Sequence, residues 1–387
     1  MRILIIDRQP PLDLRQGNAL IGRHIFPLLA RRHDLTLVCP VQPGDEEWAS
    51  AQLREWFTDV HLVPRPKHVA ALKGYIEASV GDYLPTPLQP SGARWATTFS
   101  HTLQAVTATT AFDVVHTREL PMAAFLRRLR AVPTVLEFID SAALREQRRR
   151  DIATPTSWPR APIARSIERR AMRACDIATA VSPADAAALR TLAPETDVRI
   201  VRNGVDTDYF RPANVQEEPE RILFAGAMSY PPNVAAVDFF YRAVWPQVRR
   251  RFPLARFVVC GRDPAPEIRA LAGDPSVVVT GAVDDMRTWY SRAAVVVCPM
   301  TTGSGIKNKV LEALAMERAV VASPLAVEAL DVRDNVEVRI ADSPTAFAEH
   351  CCALMVDREE RLRLGRAGRA YVEREHSWEG CAAAYDA

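Results

Sequence analysis

Short apolar runs alternate along this chain with longer stretches in which apolar residues recur at helical spacing. In the first half the runs are Arg2–Ile6, Leu35–Cys39, Val60–Val63, Val114–His116, Thr134–Ile139, Ile177–Val181 and Arg199–Val201. The second half adds Ile222–Ala225, Arg256–Cys260, Val277–Thr280, Ala294–Cys298, Ala319–Ala322 and Val336–Ile340. Strands that alternate with helices form βαβ units, which build a parallel sheet covered by helices on both faces. The runs VVVCP, VVAS and RFVVCG lack polar alternation, as strands buried on both sides should. The pattern predicts an α/β protein of two doubly wound, Rossmann-like domains facing a central cleft. In such sheets ligands gather beyond the carboxyl ends of the strands, so functional residues are sought there.

The polar, proline-bearing stretch Phe210–Glu220 separates two complete sets of strands. It predicts an N-terminal domain over 1–210, a linker over 211–220 and a C-terminal domain over 221–370. The tail from Glu359 is helical in pattern, and 371–387 are expected to cross back to the first domain. Gly81–Arg94, rich in Pro and Gly, reads as a long loop inside the first half.

Composition narrows the function. A chain of 387 residues fits two domains at roughly 100–200 residues each. With 49 Lys and Arg against 47 Asp and Glu, it is no strongly basic nucleic-acid binder. No apolar run reaches the ~18–20 residues that cross a bilayer, and MRILIID reads as a first strand, not a secretion signal. The seven cysteines are scattered without CxxC pairs, which points to a reducing cytoplasm, no disulfide framework and no metal site. Nine arginines between Arg145 and Arg173 form either a solvated helical face or a weak dock for an anionic membrane or a phosphate-bearing acceptor.

The strongest chemical signal is Ala294–Ser323. A buried strand runs into Thr301-Thr302-Gly303-Ser304-Gly305, followed by a helix from about Ile306 to Met316. Glycines let the backbone approach a ligand, and the helix start offers N–H groups and a positive dipole end, together a phosphate site. Lys307 and Lys309, two of only four lysines, lie in its first turn. Cations there oppose the helix dipole, so an anion between them is expected. Glu312 shares a helix face with Asn308 and Lys309. Its carboxylate suits the vicinal hydroxyls of a ribose, or else simply pairs with Lys309 on the surface.

GSGIKNKVLEALAMERAVVAS resembles the donor-nucleotide segment of retaining glycosyltransferases of family 4, which have the GT-B fold. It is most similar to bacterial exopolysaccharide-associated sugar transferases. VRNGVDTDYFRP (201–212), RILFAGAMSYPPNVAAVDFF (221–240) and TGAVDDMRTWYSRAAVVVCP (280–299) resemble further segments of that family, and HSWEG closes the match. The resemblance implies that Glu312 holds the ribose of a nucleoside-diphosphate sugar. Lys309 with Gly303, Ser304 and Gly305 would hold the diphosphate, and the loop around Val283 would line the base. Gly226 belongs to the same donor set. A metal-independent reaction is also implied, with positive groups neutralising the leaving diphosphate and no permanently bound cofactor. Two positions depart from the family: Ser304 stands where many members carry a second glutamate, and Ala227-Met228-Ser229-Tyr230 where many carry Arg and Lys. Charge must then come from Lys307, Lys309 or Arg262.

On the acceptor side, the resemblance places Gly17 and Asn18 near donor sugar and acceptor, although Asn18 equally suits a helix cap. Asp140 follows the strand TVLEFI and either orients the acceptor hydroxyl or caps a helix, with Ser141 as the alternative cap. His116 and Arg118 end the strand FDVVH, His116 as a catalytic or a structural residue and Arg118 as a ligand for an acceptor phosphate. The function expected is retaining hexosyl transfer to a saccharide or lipid-linked saccharide in exopolysaccharide or lipopolysaccharide synthesis, in the cytoplasm or at the inner face of the membrane. Two alternatives remain. A sugar-nucleotide 2-epimerase would act without an acceptor, and a non-catalytic nucleotide-sugar-binding subunit would bind without transfer.

Overall fold

The computed structural model describes residues 1–12, 17–65, 90–129, 131–150, 160–213 and 215–386. Its chain divides into two compact units, Met1–Arg202 with Cys381–Ala387, and Asn203–Gly380. Among the described residues each unit holds one parallel sheet.

In unit 1 the strands are β1 (Arg2–Ile6), β2 (Asp34–Val41), β3 (Asp59–Pro64), β4 (Val114–Arg118), β5 (Thr134–Glu137), β6 (Ile177–Ala180) and β7 (Asp197–Ile200). Their order is β3-β2-β1-β4-β5-β6-β7. In unit 2 they are β8 (Glu218–Ala225), β9 (Arg256–Cys260), β10 (Val277–Gly281), β11 (Ala293–Cys298), β12 (Ala319–Ala322) and β13 (Arg339–Ile340), ordered β10-β9-β8-β11-β12-β13. Parallel neighbours require crossover connections, and the winding reverses beside β1 in one sheet and beside β8 in the other. The reversal puts helices on both faces and opens a crevice at the carboxyl ends of β1 and β4, and of β8 and β11. Sequence makes these sheets cohere. All six residues of β11 are buried, as are the four of β12, so an all-apolar run of Val, Ala and Cys is what both faces demand.

Each unit has its own core. That of unit 1 gathers Leu4, Ile6, Val38, Phe99, Phe125 and Leu136, and that of unit 2 Phe224, Val258, Val296, Leu311 and Tyr371. Unit 2 starts ahead of the stretch expected as linker. Val205 packs in its core, the His376 ring bonds the Asn203 carbonyl, and Arg318 and Arg361 hold Glu217. These contacts tie Asn203, Val205 and Glu217 to unit 2, and β8 already begins at Glu218.

The reading of Gly81–Arg94 as one loop needs correction. A helix begins at Pro90 and runs to Thr109, while 81–89 lie outside the described residues. Pro is well suited to a helix's first position, where its missing N–H costs nothing. The tail forms two helices, Arg358–Glu375 and Trp378–Asp386. Residues 381–386 belong to unit 1, where Asp386 pairs with Arg32 and His33 at 2.7 Å each. No helix among the described residues is long and apolar enough to cross a membrane.

Candidate donor and acceptor sites

The donor-site candidates of unit 2 lie where its sheet reverses. β8 ends in Gly226, with φ 152°, and the chain turns into the helix Pro231–Phe239. A Cβ at Gly226 would stand 2.7 Å from Asn233 Nδ2 and 3.1 Å from Lys309 Nζ, so only glycine lets these side chains reach the strand end. Asn233 is buried. Its Nδ2 donates to the Ala227 carbonyl at 2.9 Å, and its Oδ1 accepts from Lys309 Nζ at 2.5 Å. Lys309 Nζ also sits 4.3 Å over the Phe224 ring. Burial, with Lys307 nearby, pulls the Lys309 ammonium down to about 8. A cation is thus fixed beside the glycine turn by groups drawn from β8 and from the helix that follows it.

Beyond β11 the chain enters the glycine loop. Gly303 and Gly305 take φ of 115° and 67°, conformations that favour glycine. The Lys307 amine donates to the carbonyls of Ser304 and Gly305 at 2.9 and 2.8 Å. This lysine therefore braces the loop, which is why the helix starts at Asn308 and runs to Ala315, shorter than the expected Ile306–Met316. The Lys307 side chain does not cap the helix, and Asn308 Oδ1 is a buried acceptor with no hydrogen-bond partner among the described residues. Helix N–H groups and a lysine thus gather around one glycine loop, which is anion-binding chemistry.

Glu312 lies one turn on. Its Oε2 accepts from the buried Tyr290 hydroxyl at 2.8 Å. Burial raises its pKa, against the pull of Tyr290 and Lys309. The surface pairing of Lys309 with Glu312 does not form, because Lys309 turns to Asn233 and Glu312 to Tyr290. Val283 is half-buried just past β10 and packs on the core of unit 2. Arg262, on the loop after β9, bonds Asp263 at 2.8 Å. The structure therefore brings Gly226, Gly303, Ser304, Gly305, Lys307, Lys309 and Glu312 to the strand ends, and it turns Arg262 toward its neighbour.

In unit 1 the reversal holds a buried charge cluster. Arg118, at the end of β4, is 1% exposed. Its guanidinium donates to Asp7 Oδ2 at 2.5 Å and to Glu137 at 3.0 and 3.2 Å, and it covers the Phe26 ring. His116 Nε2 is 3.1 Å from Glu137 Oε2, and the His116 ring packs on Tyr385. Arg118 holds Glu137 well below the usual carboxylate range, whereas burial outweighs Arg118 at Asp7 and pushes that group up to about 6. The expectation that Arg118 meets an acceptor phosphate is therefore corrected. Its fork is spent on two buried carboxylates, an arrangement costly to break. His116 belongs to the same closed cluster, so its catalytic role gives way to a structural one.

Asp140 follows β5 and pairs with Arg145 Nη1, 2.7 Å from each carboxylate oxygen. The cap of the helix Ala142–Arg150 is Ser141, whose hydroxyl accepts from Leu144 N at 3.2 Å, joined by the buried Glu168 carboxylate on Ala142 N and Ala143 N. Asp140 is not the cap. Gly17 and Asn18 open the helix Gly17–Leu29 after β1; their side chains and the loop 13–16 lie outside the described residues.

Asn233 and Tyr290 escaped sequence reasoning, one hidden in a Tyr-Pro-Pro-Asn helix start and the other in a short helix ahead of a buried strand. The hint for Asn233 was its place on the first turn after a strand ending in Gly226. For Tyr290 no local signal existed, since its partner lies 22 residues away.

Residues 27–209 match the family model described as Glycosyltransferase Family 4, and 219–357 that described as Glycosyl transferases group 1. A GDP-mannose-dependent alpha-(1-6)-phosphatidylinositol monomannoside mannosyltransferase of Mycobacterium tuberculosis is 28% identical over 251 residues, 58% of this chain and 64% of the relative. The match thus spans less than two thirds of that relative's length. An alpha-maltose-1-phosphate synthase of the same organism is 26% identical over 416 residues, covering 98% and 96%. Among solved structures, the sucrose-phosphate synthase of Thermosynechococcus elongatus superimposes with a TM-score of 0.74 at 16% identity, covering 100% and 97%. TarM gives 0.71 at 9% identity, covering 99% and 97%. The fold is GT-B, and the chain belongs to the group 1 glycosyltransferases of family 4.

Proposed function

We propose that this protein transfers a glycosyl group from a nucleoside-diphosphate sugar to a saccharide or lipid-linked saccharide, with retention of configuration and without a metal. Unit 2 takes the donor and unit 1 the acceptor. The observation that carries the reading is the convergence of Lys309, fixed by Asn233, with the Gly303–Gly305 loop and the Tyr290-held Glu312 at the strand ends of unit 2. Glu312 accepts both ribose hydroxyls. Lys309 and the start of its helix face the diphosphate, and Val283 lies beside the base. The relative named as GDP-mannose-dependent supports a nucleotide-sugar donor.

In the transfer, the bond between the anomeric carbon and the diphosphate oxygen breaks while the acceptor hydroxyl oxygen bonds the same face of that carbon. The hydroxyl proton passes to the leaving diphosphate. Negative charge grows on that diphosphate, and a preplaced ammonium and helix dipole stabilise it without reorganisation. Asp140, at the carboxyl end of β5, orients the acceptor hydroxyl. An acceptor of the exopolysaccharide or lipopolysaccharide class, carried on lipid, would bring the protein to the inner face of a membrane.

Ser304, in the loop position where many members carry a glutamate, favours one second reading, a subunit that binds nucleotide sugar without transfer. The test is turnover of the bound donor over an acceptor panel. Loss of most transfer in Glu312→Ala and Lys309→Ala supports the reading. Near-normal turnover in both variants refutes the site, and binding without any turnover in the wild type favours the second reading.

A further inference from the structure

Unit 1 carries a second cationic feature that the transfer reaction does not use. Arg127 comes from the turn-like helix Leu120–Arg128, and Arg169, Arg170 and Arg173 from the last turn of Arg160–Met172 and just beyond it. The two helices pack together, and with Ser166 and Ala174 these four arginines line a recess of about 330 Å3. All four are exposed.

Their partners neutralise them only in part, through Glu195, whose charge acts on Arg173 and Arg169. Arg173 pairs with Glu195 at 2.9 Å, and Arg169 Nε donates to the Leu192 carbonyl at 3.2 Å. Among the described residues Arg127 and Arg170 pair with no carboxylate. Cations at a helix C-terminus complement its dipole, which accounts for Arg169 and Arg170. It does not account for Arg127, which arrives from another element, nor for four like charges around one recess, where each repels the rest. A phosphate group relieves that repulsion. Guanidinium forks match its oxygens in parallel hydrogen bonds, and several forks can share one group.

Position separates this recess from the chemistry of transfer. The chain passes from Arg173 into β6 at Ile177, and from Arg127 toward β5 at Thr134. The recess therefore lies at the amino ends of those parallel strands, whereas Asp140 follows a carboxyl end.

We propose that the Arg127–Arg169–Arg170–Arg173 recess is a binding site for phosphate-bearing anions, held apart from the sugar-transfer residues. The ligand is either a soluble polyphosphate or the headgroup of an anionic lipid, and both present the same oxygens.

The test compares the full chain with Arg127→Glu/Arg170→Glu, and with Arg127→Gln/Arg170→Gln in case charge reversal impairs folding. Inorganic pyrophosphate is titrated calorimetrically into each protein, and each is floated with phosphatidylglycerol-containing vesicles at low and high salt. Any pyrophosphate bound by the donor residues is common to all three proteins, so the difference reports on the recess. Equal urea midpoints establish that the variants are folded. The expected result is a loss of about tenfold or more in affinity in at least one arm, larger at low salt. A loss confined to vesicles identifies a lipid headgroup, and a loss with pyrophosphate identifies a phosphate free in solution. Wild type and folded variants that behave alike in both arms overturn the proposal.

Discussion

Lys309 makes a quantitative prediction. Its ammonium is held at about 8 because burial beside Phe224 and Met300 strips it of water while Asn233 offers only a neutral oxygen. A bound diphosphate supplies the missing negative charge and returns the amine toward its ordinary range. Binding therefore takes up a proton wherever the free amine is neutral and the bound one charged, and affinity falls as pH rises through 8. If the bound value returns to 10.5, the ordinary value for lysine, affinity drops about 25-fold between pH 7 and pH 9.5, or about 2 kcal/mol. The same shift acts on stability with the opposite trend. Without ligand the unfolded chain binds more protons between pH 8 and 10.5, so this group adds stability as pH rises through that window. The assay is calorimetric titration of the best-bound nucleoside diphosphate at several pH values, in buffers of different ionisation enthalpy. Lys309→Met serves as control, since any titration of the nucleotide itself persists in it. Weaker, flatter binding in the variant is expected. An equal slope in wild type and Lys309→Met refutes the assignment of the proton to this amine.

Three further outcomes follow from the same contacts. Tyr290→Phe removes the hydroxyl that orients Glu312 and should weaken nucleotide binding about tenfold, a charge-assisted hydrogen bond being worth ~1.5–3 kcal/mol, with the fold intact by circular dichroism. Gly226→Ala forces a Cβ to 2.7 Å from Asn233 Nδ2, so the Asn233–Lys309 bond should break and nucleotide affinity fall by at least as much; unchanged affinity by titration would contradict the geometry. Arg118→Met leaves Asp7 and Glu137 buried without their counter-ion and should cost ~3–5 kcal/mol in urea unfolding, and an unshifted midpoint would show that the cluster is not closed.

The strand pattern was legible because parallel strands are written locally, as apolar runs between helices. Thirteen such runs correspond to the seven and six strands observed. Edges were less legible. The run Val336–Ile340 shortens to Arg339–Ile340, since Glu337 is drawn back to Arg333 in the preceding turn. Proline and glycine around Pro90 looked like turn punctuation, although a proline also starts helices. The glycine loop and the helix after it were readable for the same local reason, with glycines, lysines and glutamate inside one short segment. Their orientations were not. Lys309 finds Asn233 at a distance of 76 residues, and Arg118 is closed off by Asp7, 111 residues away, so neither its availability nor its burial is encoded nearby. The Arg118 case shows the asymmetry: a strand-end arginine reads alike in sequence whether it faces a ligand or a buried carboxylate pair.

The central claim is that Glu312 and Lys309 hold a nucleoside diphosphate on unit 2, and calorimetry tests it most directly. UDP, GDP, ADP and dTDP are titrated into the wild type and Glu312→Ala without added metal. One nucleotide is expected to bind the wild type, and Glu312→Ala to lose it. Binding of none of the four, or equal binding by wild type and Glu312→Ala, would contradict it.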